Sequence, residues 1–169
     1  GRGGFRMDWL TTESDTMTLQ GELFEARSGR EDIRPTIGAP FQVTNTEDES
    51  SAGGYALYRW HHKSDESSSW TLQMYYDRFH RDSTNSFFEF SVDTYDVDFQ
   101  QQFPLADDHQ LVWGLGYRIN DINFLGSSSD GGFAIGPPVA DVTRNLASAF
   151  VQDEMTLVDD LLFFTAGVK

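Results

Sequence analysis

The sequence predicts an all-β protein, an antiparallel up-and-down meander of about eight long strands that forms part of a transmembrane β-barrel. Apolar and polar residues alternate over long stretches, and the links between these stretches alternate between short and long. Aromatic residues close to the short links are a third observation, which favours a barrel in lipid over a soluble sheet.

Period-two alternation is clearest in residues 93–120, where two successive runs each present one apolar and one polar face. A soluble sandwich would bury the apolar face, whereas a membrane barrel would turn it toward lipid. Helical periodicity is nearly absent. The predicted strands are Gly4–Thr12, Thr16–Arg27, Gly54–Lys63, Trp70–Arg81, Phe88–Phe103, Gln110–Phe124, Leu146–Leu157 and Leu161–Lys169.

The links sort by length. Short polar links are Glu13–Asp15, Ser64–Ser69, Pro104–His109 and Val158–Asp160. Long loops are expected at Ser28–Gly53 and Leu125–Asn145, with Asp82–Phe87 as a shorter version. This asymmetry is typical of bacterial outer-membrane barrels, which have short periplasmic turns and longer extracellular loops. Strands of about ten residues tilted near 45° cover about 23 Å, so the longer ones should project above the membrane on the long-loop side.

Composition excludes several function classes. The chain has 169 residues and a formal net charge of −15, which argues against affinity for nucleic acid. It has no cysteine, so disulfides, thiolate metal sites and cysteine nucleophiles are excluded. No apolar run reaches the length of a transmembrane helix. The N-terminus, GRGGFRMDW, has no signal segment, so we expect either a cytosolic protein or a chain that begins within a longer one.

Aromatic placement favours lipid on the apolar face. Trp9, Trp60, Trp70 and Phe103 lie within a few residues of a short link, where an interfacial aromatic girdle would be. The alternative is that these bulky residues close the bottom of a soluble core. The residues predicted to face lipid are Trp9, Leu19, Leu72, Met74, Tyr95, Val97, Phe99, Leu111, Trp113, Leu115 and Tyr117. A polar lumen would instead be lined by mutually satisfying charges, namely Arg6, Arg59, Arg118, Asp8, Glu22, Asp77, Asp96 and Asp98.

Several segments resemble hairpins of the TonB-dependent outer-membrane receptors. They are GGFRMDW with TESD and TMTLQGELFEAR, ALYRWHHKSDESSSWTLQMYYDRFHR, DTYDVDFQQQFPL with HQLVWGLGYRI, and SAFVQDEMTLVDDLLFFTAGVK. The resemblance implies a barrel of about 22 strands around a plug domain, and uptake of a scarce nutrient such as a ferric siderophore, cobalamin or an oligosaccharide. Residues 1–169 resemble an internal barrel fragment without plug, TonB-contacting segment or signal peptide, which alone is not expected to transport.

The implied partners are outer-membrane lipid and, in the full-length parent, TonB and a metal chelate or other nutrient. A fragment with open strand edges could also self-associate through them. Ligand contacts in the family come from the plug, the upper lumen wall and the loops, with basic residues favoured because many siderophore complexes are anionic. The candidate ligand-binding residues are Arg27, Arg34, Tyr75, Arg81, Arg118 and Phe133.

We expect no catalytic residue, cofactor or metal site. His61 and His62 are adjacent on a strand and so point to opposite faces, which prevents both from binding one ion. Asp96 and Asp98 share a face, as wall charges paired with arginine would. The segment TNTEDESS is expected to be a mobile acidic loop, and GSSSDGGFAIGPP an extracellular loop with Phe133 and Ile135 as candidate ligand contacts.

Two other interpretations stay open from the sequence. One is a self-contained eight-stranded outer-membrane barrel with a structural or adhesive role, in which Gly4–Thr12 would pair with Leu161–Lys169. The other is a soluble all-β ligand-binding or carbohydrate-active domain.

Overall fold

A computed structural model describes residues 1–83, 89–125 and 141–169. These residues form one eight-stranded antiparallel sheet in which each strand pairs with the next along the chain. The strands are β1 Arg2–Leu10, β2 Asp15–Pro35, β3 Gln42–Lys63, β4 Ser69–Ser83, β5 Glu89–Ala106, β6 His109–Leu125, β7 Val142–Val158 and β8 Leu162–Val168. The predicted meander is therefore confirmed. Among the described residues, no helix is long and apolar enough to cross a membrane.

The sheet is open. Within the described residues β1 pairs only with β2, and β8 pairs only with β7. The chain therefore does not form the self-contained eight-stranded barrel, which would require β1 and β8 to pair. Each outer strand therefore has one edge of backbone donors and acceptors that no described strand pairs.

Cross-strand register assembles the two faces of the sheet. Partners in an antiparallel ladder lie on the same face, and successive residues point to opposite faces. We define the apolar face as the one that carries the row Leu19, Tyr58, Met74, Val97 and Tyr117. We define the polar face as the one that carries the row Thr18, Arg59, Gln73, Asp98 and Gly116.

No described apolar side chain is buried, because the sheet has one layer and nothing covers its apolar face. Val97 and Leu115 on that face are 43% and 53% exposed, whereas Asp96 on the polar face is only 7% exposed. The polar face is thus the more enclosed one. This arrangement is the reverse of a soluble sandwich, which would bury the apolar face.

The predicted long loop Ser28–Gly53 is wrong. β2 and β3 continue through most of it, with pairing from Arg27 opposite Ser50 to Pro35 opposite Gln42, so only residues 36–41 connect them. The acidic segment TNTEDESS, residues 44–51, accordingly lies within β3. The physical reason is that a strand pair in water on both faces needs no apolar alternation, since its backbone hydrogen bonds still form.

Other strand ends shift by a few residues. β7 begins at Val142, four residues before the predicted start at Leu146, and β5 extends beyond Phe103 to Ala106. The segment GSSSDGGFAIGPP, with Phe133 and Ile135, lies outside the described residues, as do residues 84–88.

Short turns join β1 to β2, β3 to β4, β5 to β6 and β7 to β8, at the end of the sheet opposite residues 36–41. In the turn between β3 and β4, Asp65 Oδ1 accepts hydrogen bonds from the backbone nitrogens of Ser67 and Ser68 at 2.8 and 2.7 Å. The Ser67 hydroxyl adds a third at 3.0 Å. The backbone bond from Ser67, followed by those from the serine side chains, lowers the pKa of the Asp65 carboxyl below its usual range. The turn therefore keeps a charged carboxylate at this edge of the sheet.

Glycine allows close ring packing on the polar face. Gly53 on β3 lies opposite Phe24, and a Cβ built at Gly53 would lie 2.8 Å from Phe24 Cε1 and 2.6 Å from the Arg78 carbonyl oxygen. The Phe24 ring therefore covers the backbone at Gly53, and it reaches Phe79 with ring centroids 6.2 Å apart.

Gly53→Val should destabilise the sheet by about 1–3 kcal/mol, because the added side chain has to displace a ring and a neighbouring backbone. Urea unfolding of the full-length protein in detergent measures this change. The matched control is Gly3→Val, since a Cβ at Gly3 meets nothing within 4 Å. Equal stability of the two variants would contradict the packing described.

Candidate functional site

An acidic pair and an arginine occupy the middle of the polar face. Tyr75, Asp96 and Arg118 lie in one row on β4, β5 and β6. Arg118 Nε donates to Asp96 Oδ2 at 2.6 Å, and the Asp96 side chain is 8% exposed against 50% for Arg118. Asp98 lies next to this pair, opposite Gly116, where a Cβ would come within 2.6 Å of both Asp98 Oδ1 and Ser148 Oγ. The absence of a side chain at Gly116 leaves room for the Asp98 carboxylate.

A second charged group lies on β1 and β2. Arg6 donates from Nε and Nη2 to the two carboxylate oxygens of Asp8 at 2.8 and 3.0 Å. Asp8 also accepts from Thr18 Oγ1 at 2.6 Å, and Gln20 accepts from Arg6 Nη1 at 3.3 Å. This group satisfies its own charges, as predicted for lumen residues.

β3 carries three basic side chains on the polar face at alternate positions, Arg59, His61 and Lys63. Arg59 donates from Nε and Nη2 to a neutral acceptor, Gln73 Oε1, at 3.0 and 2.6 Å. His61 Nδ1 lies 3.0 Å from Thr71 Oγ1. Within the described part of the chain, no ion pair joins any of the three to a carboxylate. Arg59 and His61 line a cavity of about 900 Å³ on this face.

The polar face becomes aromatic toward the long-loop end. Phe79 and Phe90 have ring centroids 5.6 Å apart, and Phe90 and Phe124 have centroids 6.2 Å apart, which continues the contact of Phe24 with Phe79. Beyond these rings Arg81 Nη2 pairs with Glu49 Oε1 at 2.7 Å. The upper part of this face thus offers ring surface and a paired arginine.

Aromatic side chains form two bands on the apolar face. At the short-turn end, ring contacts run from Trp60 to Trp70 at 4.7 Å, then to Phe99 at 6.2 Å and to Trp113 at 5.4 Å. Asp15 Oδ1 accepts from Trp60 Nε1 at 2.8 Å, which holds one indole N–H at the polar edge of this band. Such a band is the arrangement expected for an interfacial girdle.

Tyrosines form the second band, nearer the long-loop end. Tyr76 and Tyr95 stack with centroids 4.9 Å apart, and the Tyr76 hydroxyl donates to Asp93 Oδ1 at 2.7 Å. The Tyr117 hydroxyl donates to Asn145 Oδ1 at 3.2 Å. The rings therefore lie with the apolar residues, and their hydroxyls reach the polar residues above them.

The structure brings together some of the predicted ligand residues. Tyr75 and Arg118 share one row of the polar face, and Arg81 lies on the same face six residues beyond Tyr75. Arg27 lies instead on the apolar face, paired with Glu25 at 2.8 Å. The Arg34 side chain and all of Phe133 lie outside the described residues, and only the backbone of Arg34 is placed, in β2.

The eleven residues predicted to face lipid all lie on the apolar face. Their contact with lipid stays a prediction. His61 and His62 point to opposite faces, since His62 Nδ1 lies 2.7 Å from Asp15 Oδ1 and His61 contacts Thr71. Among the described residues, no group of three or more His, Asp or Glu side chains is placed to hold a metal ion.

Sequence reasoning missed what is particular about β3. It placed Arg59 among mutually satisfying charges, but the structure gives it a neutral amide partner. The alternation of Arg59, His61 and Lys63 is visible in the sequence. Their neighbours are hydroxyls and amides on β2 and β4. These neighbours depend on the register of β3 with both strands and cannot be read from β3 itself.

An open antiparallel meander with an enclosed polar face and an exposed apolar face between two aromatic bands is the wall of a transmembrane β-barrel. Comparison with protein families agrees, because residues 3–169 match the family described as TonB dependent receptor-like, beta-barrel. The chain belongs to this family, which consists of transporters of the bacterial outer membrane and not of enzymes.

Among solved structures, the chain is similar to one titled "Copper transporter OprC", at 14% sequence identity and a TM-score of 0.41. The match covers 98% of this chain and 35% of that one, so the chain spans about a third of the length of that structure. A comparison with curated proteins found no match.

Arg118→Gln should lower the free energy of unfolding of the full-length protein by about 1–3 kcal/mol, because it leaves the enclosed Asp96 carboxylate without its cationic partner. Urea titration in detergent is the measurement. Arg27→Gln is the control, since the pair of Arg27 with Glu25 is largely exposed and should contribute little. A larger loss in the control would contradict the assignment.

Leu115→Arg should cost about 2–4 kcal/mol in lipid, because it places a charge on the apolar face at membrane depth. Ser148→Arg, in the neighbouring row on the polar face, places the same charge toward Asp98 and should cost less than Leu115→Arg, because that charge does not enter hydrocarbon. Folding titrations of both variants of the full-length protein in phospholipid vesicles compare them. If Ser148→Arg cost more, the two faces would have been assigned in reverse.

Proposed function

We propose that this chain forms part of the barrel wall of an outer-membrane importer that takes up a scarce nutrient with energy supplied through TonB. The proposal rests on the charged polar face of this sheet, together with the match of the chain to this family. This face is enclosed, charged and largely self-satisfied, as a wall beside an aqueous path needs to be. The nutrient would be a large or metal-bearing solute such as a ferric siderophore, cobalamin or an oligosaccharide.

The upper polar face is the part of this chain proposed to meet the nutrient. The Tyr55 and Tyr75 rings lie 5.9 Å apart, and Tyr75 is in the same row as Asp96 and Arg118. The phenylalanine rings and the pair of Arg81 with Glu49 lie beyond them. Rings can stack on a planar or aliphatic ligand, and a guanidinium can donate two hydrogen bonds to an anionic one.

Uptake by cells that express the full-length protein tests this proposal. The probes are a panel of ⁵⁵Fe-loaded siderophores, ⁵⁷Co-cobalamin and labelled oligosaccharides, each with and without a protonophore and in a strain without TonB. Accumulation of one probe that depends on the protein, on the proton gradient and on TonB is expected. Uptake of every probe at the rate of cells without the protein, or accumulation that persists without TonB, would contradict active import of these nutrients.

The Tyr75→Ala variant tests whether this wall contacts the nutrient. It should raise the concentration of half-maximal uptake about fivefold if the ring stacks on the nutrient, since such a contact contributes on the order of 1 kcal/mol. Met74→Ala removes a side chain of similar length from the adjacent position on the apolar face and is the matched control. Equal uptake by the two variants would remove Tyr75 from the proposed contact surface.

A further inference from the structure

The three basic side chains of β3, which we call the basic ladder of Arg59, His61 and Lys63, are placed at alternate positions on one face of one strand. Two residues of a strand span about 6.6 Å, so the three groups follow one another along the wall toward the short-turn end. The Arg59 side chain is exposed, and the His61 side chain is half-buried. The ladder therefore presents positive charge to the space in front of the polar face.

Neighbouring side chains do not neutralise the ladder. On β2, Thr18 lies opposite Arg59 and Thr16 lies opposite His61. On β4, the corresponding partners are Gln73 and Thr71. All four are neutral groups that can donate or accept hydrogen bonds.

Carboxylates come only at the edges of the ladder. In the Arg59 row, Asp8 and Asp98 each lie two strands away, and Asp8 is already held by Arg6. The rows of His61 and Lys63 contain no carboxylate on the polar face of the described strands. Asp65 and Glu66 lie in the turn after Lys63, without an ion pair to it in the described structure.

An uncompensated basic ladder is unexpected in a chain with a formal net charge of −15. Arg6 and Arg118 on the same face each have a carboxylate within hydrogen-bond distance. Pairing with a carboxylate is therefore how this sheet neutralises its other arginines on that face. Arg59 uses two of its donors on the Gln73 amide oxygen and keeps Nη1 without a partner in the described residues. The Gln73 contact fixes the orientation of the guanidinium without neutralising its charge.

We infer that the basic ladder is an oxyanion-binding site on the polar face, near the short-turn end, for a phosphate or carboxylate group. The group accepts hydrogen bonds from Arg59 and from His61, with hydroxyls of Thr16 and Thr71 as neutral donors and Lys63 as a further charge, whereas the Thr18 hydroxyl already donates to Asp8. The cavity of about 900 Å³ that Arg59 and His61 line is large enough for such a group, and its lining also includes Asp8, which pairs with Arg6, and Asp98. This inference goes beyond the proposed import function and does not depend on which nutrient is carried.

The oxyanion can come from a dissolved solute or from an Asp or Glu side chain of polypeptide that lies against this wall. The first source is probed with inorganic phosphate added to the full-length protein in detergent, labelled with ¹³C at the histidine rings. The His61 ring signal should move saturably with phosphate. The signal of His62, on the same strand but the opposite face, should stay in place.

The double variant Arg59→Gln with Lys63→Gln should bind phosphate about tenfold more weakly or worse, because it removes charge-assisted hydrogen bonds and keeps amides in their place. Arg78→Gln is the matched control, since Arg78 lies on the apolar face of β4. A saturable response that is lost in the double variant and retained in the control supports a solute site.

The second source is probed by a zero-length carbodiimide cross-link between the Lys63 amine and a carboxylate, followed by mass spectrometry. If phosphate has no effect, a Lys63 cross-link to an Asp or Glu outside β2, β3, β4 and their turns supports an oxyanion supplied by the protein. Lys63→Arg should abolish the cross-link while it keeps the charge.

If phosphate leaves the His61 signal unchanged and Lys63 forms no such cross-link, the inference is overturned. Both measurements detect binding and not transport. A protein that imports none of the tested nutrients can therefore still show the site, and an importer can still lack it.

Discussion

Backbone hydrogen bonding in lipid is the constraint on which the rest of this structure depends. Hydrocarbon offers no partner to an N–H or C=O group, so a strand that crosses it has to pair on both sides. The chain meets this requirement between β1 and β8 by pairing each strand with the next. The outer edges of β1 and β8 carry backbone groups that no described strand pairs, and in lipid these groups would need partners as well.

The apolar residues do not occupy the same rows on every strand, and the tilt of strands in a barrel accounts for such an offset. On β2 its apolar residues run from Met17 to Leu23, and the row through Met17 reaches Leu115 on β6. On β6 the apolar residues continue from Leu115 to Leu111, which is four residues nearer the short turn. At the other end, the row that contains Leu23 on β2 contains Asp121 on β6. Strands tilted by about 45° and spaced by about 4.8 Å would shift a horizontal band by about 1.4 residues per strand. The apolar band therefore crosses the rows of paired residues obliquely, as a tilted barrel wall requires.

Above this band the two faces exchange character. Arg78, Asp93 and Asp121 share one row on the apolar side, where water replaces lipid, whereas Phe24, Phe79 and Ile122 share a row on the polar side. Sequence alternation predicted β4, β5 and β6 well because each of these strands carries one apolar and one polar face. It failed at residues 28–53 because the segment is polar on both faces, so the pairing of β2 with β3 leaves no periodic signal. Alternation in the sequence was enough to assign Tyr75, Asp96 and Arg118 to one face. That these three share a row, and that Arg59 has a neutral partner, depends on the register between strands, which alternation does not give.

The distribution of charge follows from the same environments. Each described short turn region carries two carboxylates, Glu13 with Asp15, Asp65 with Glu66, Asp107 with Asp108, and Asp159 with Asp160. Hydration at the membrane edge accommodates such groups, and much of the net charge of −15 can lie there without cost to the barrel. On the polar face, most charged side chains lie in pairs such as that of Arg118 with Asp96. A charge that remains without a counterion in that setting costs free energy unless another group supplies one. Gln73 holds the Arg59 guanidinium in a fixed orientation without neutralising it. The proposed counterion of the basic ladder would therefore come from a group outside these strands, in the interior of the barrel.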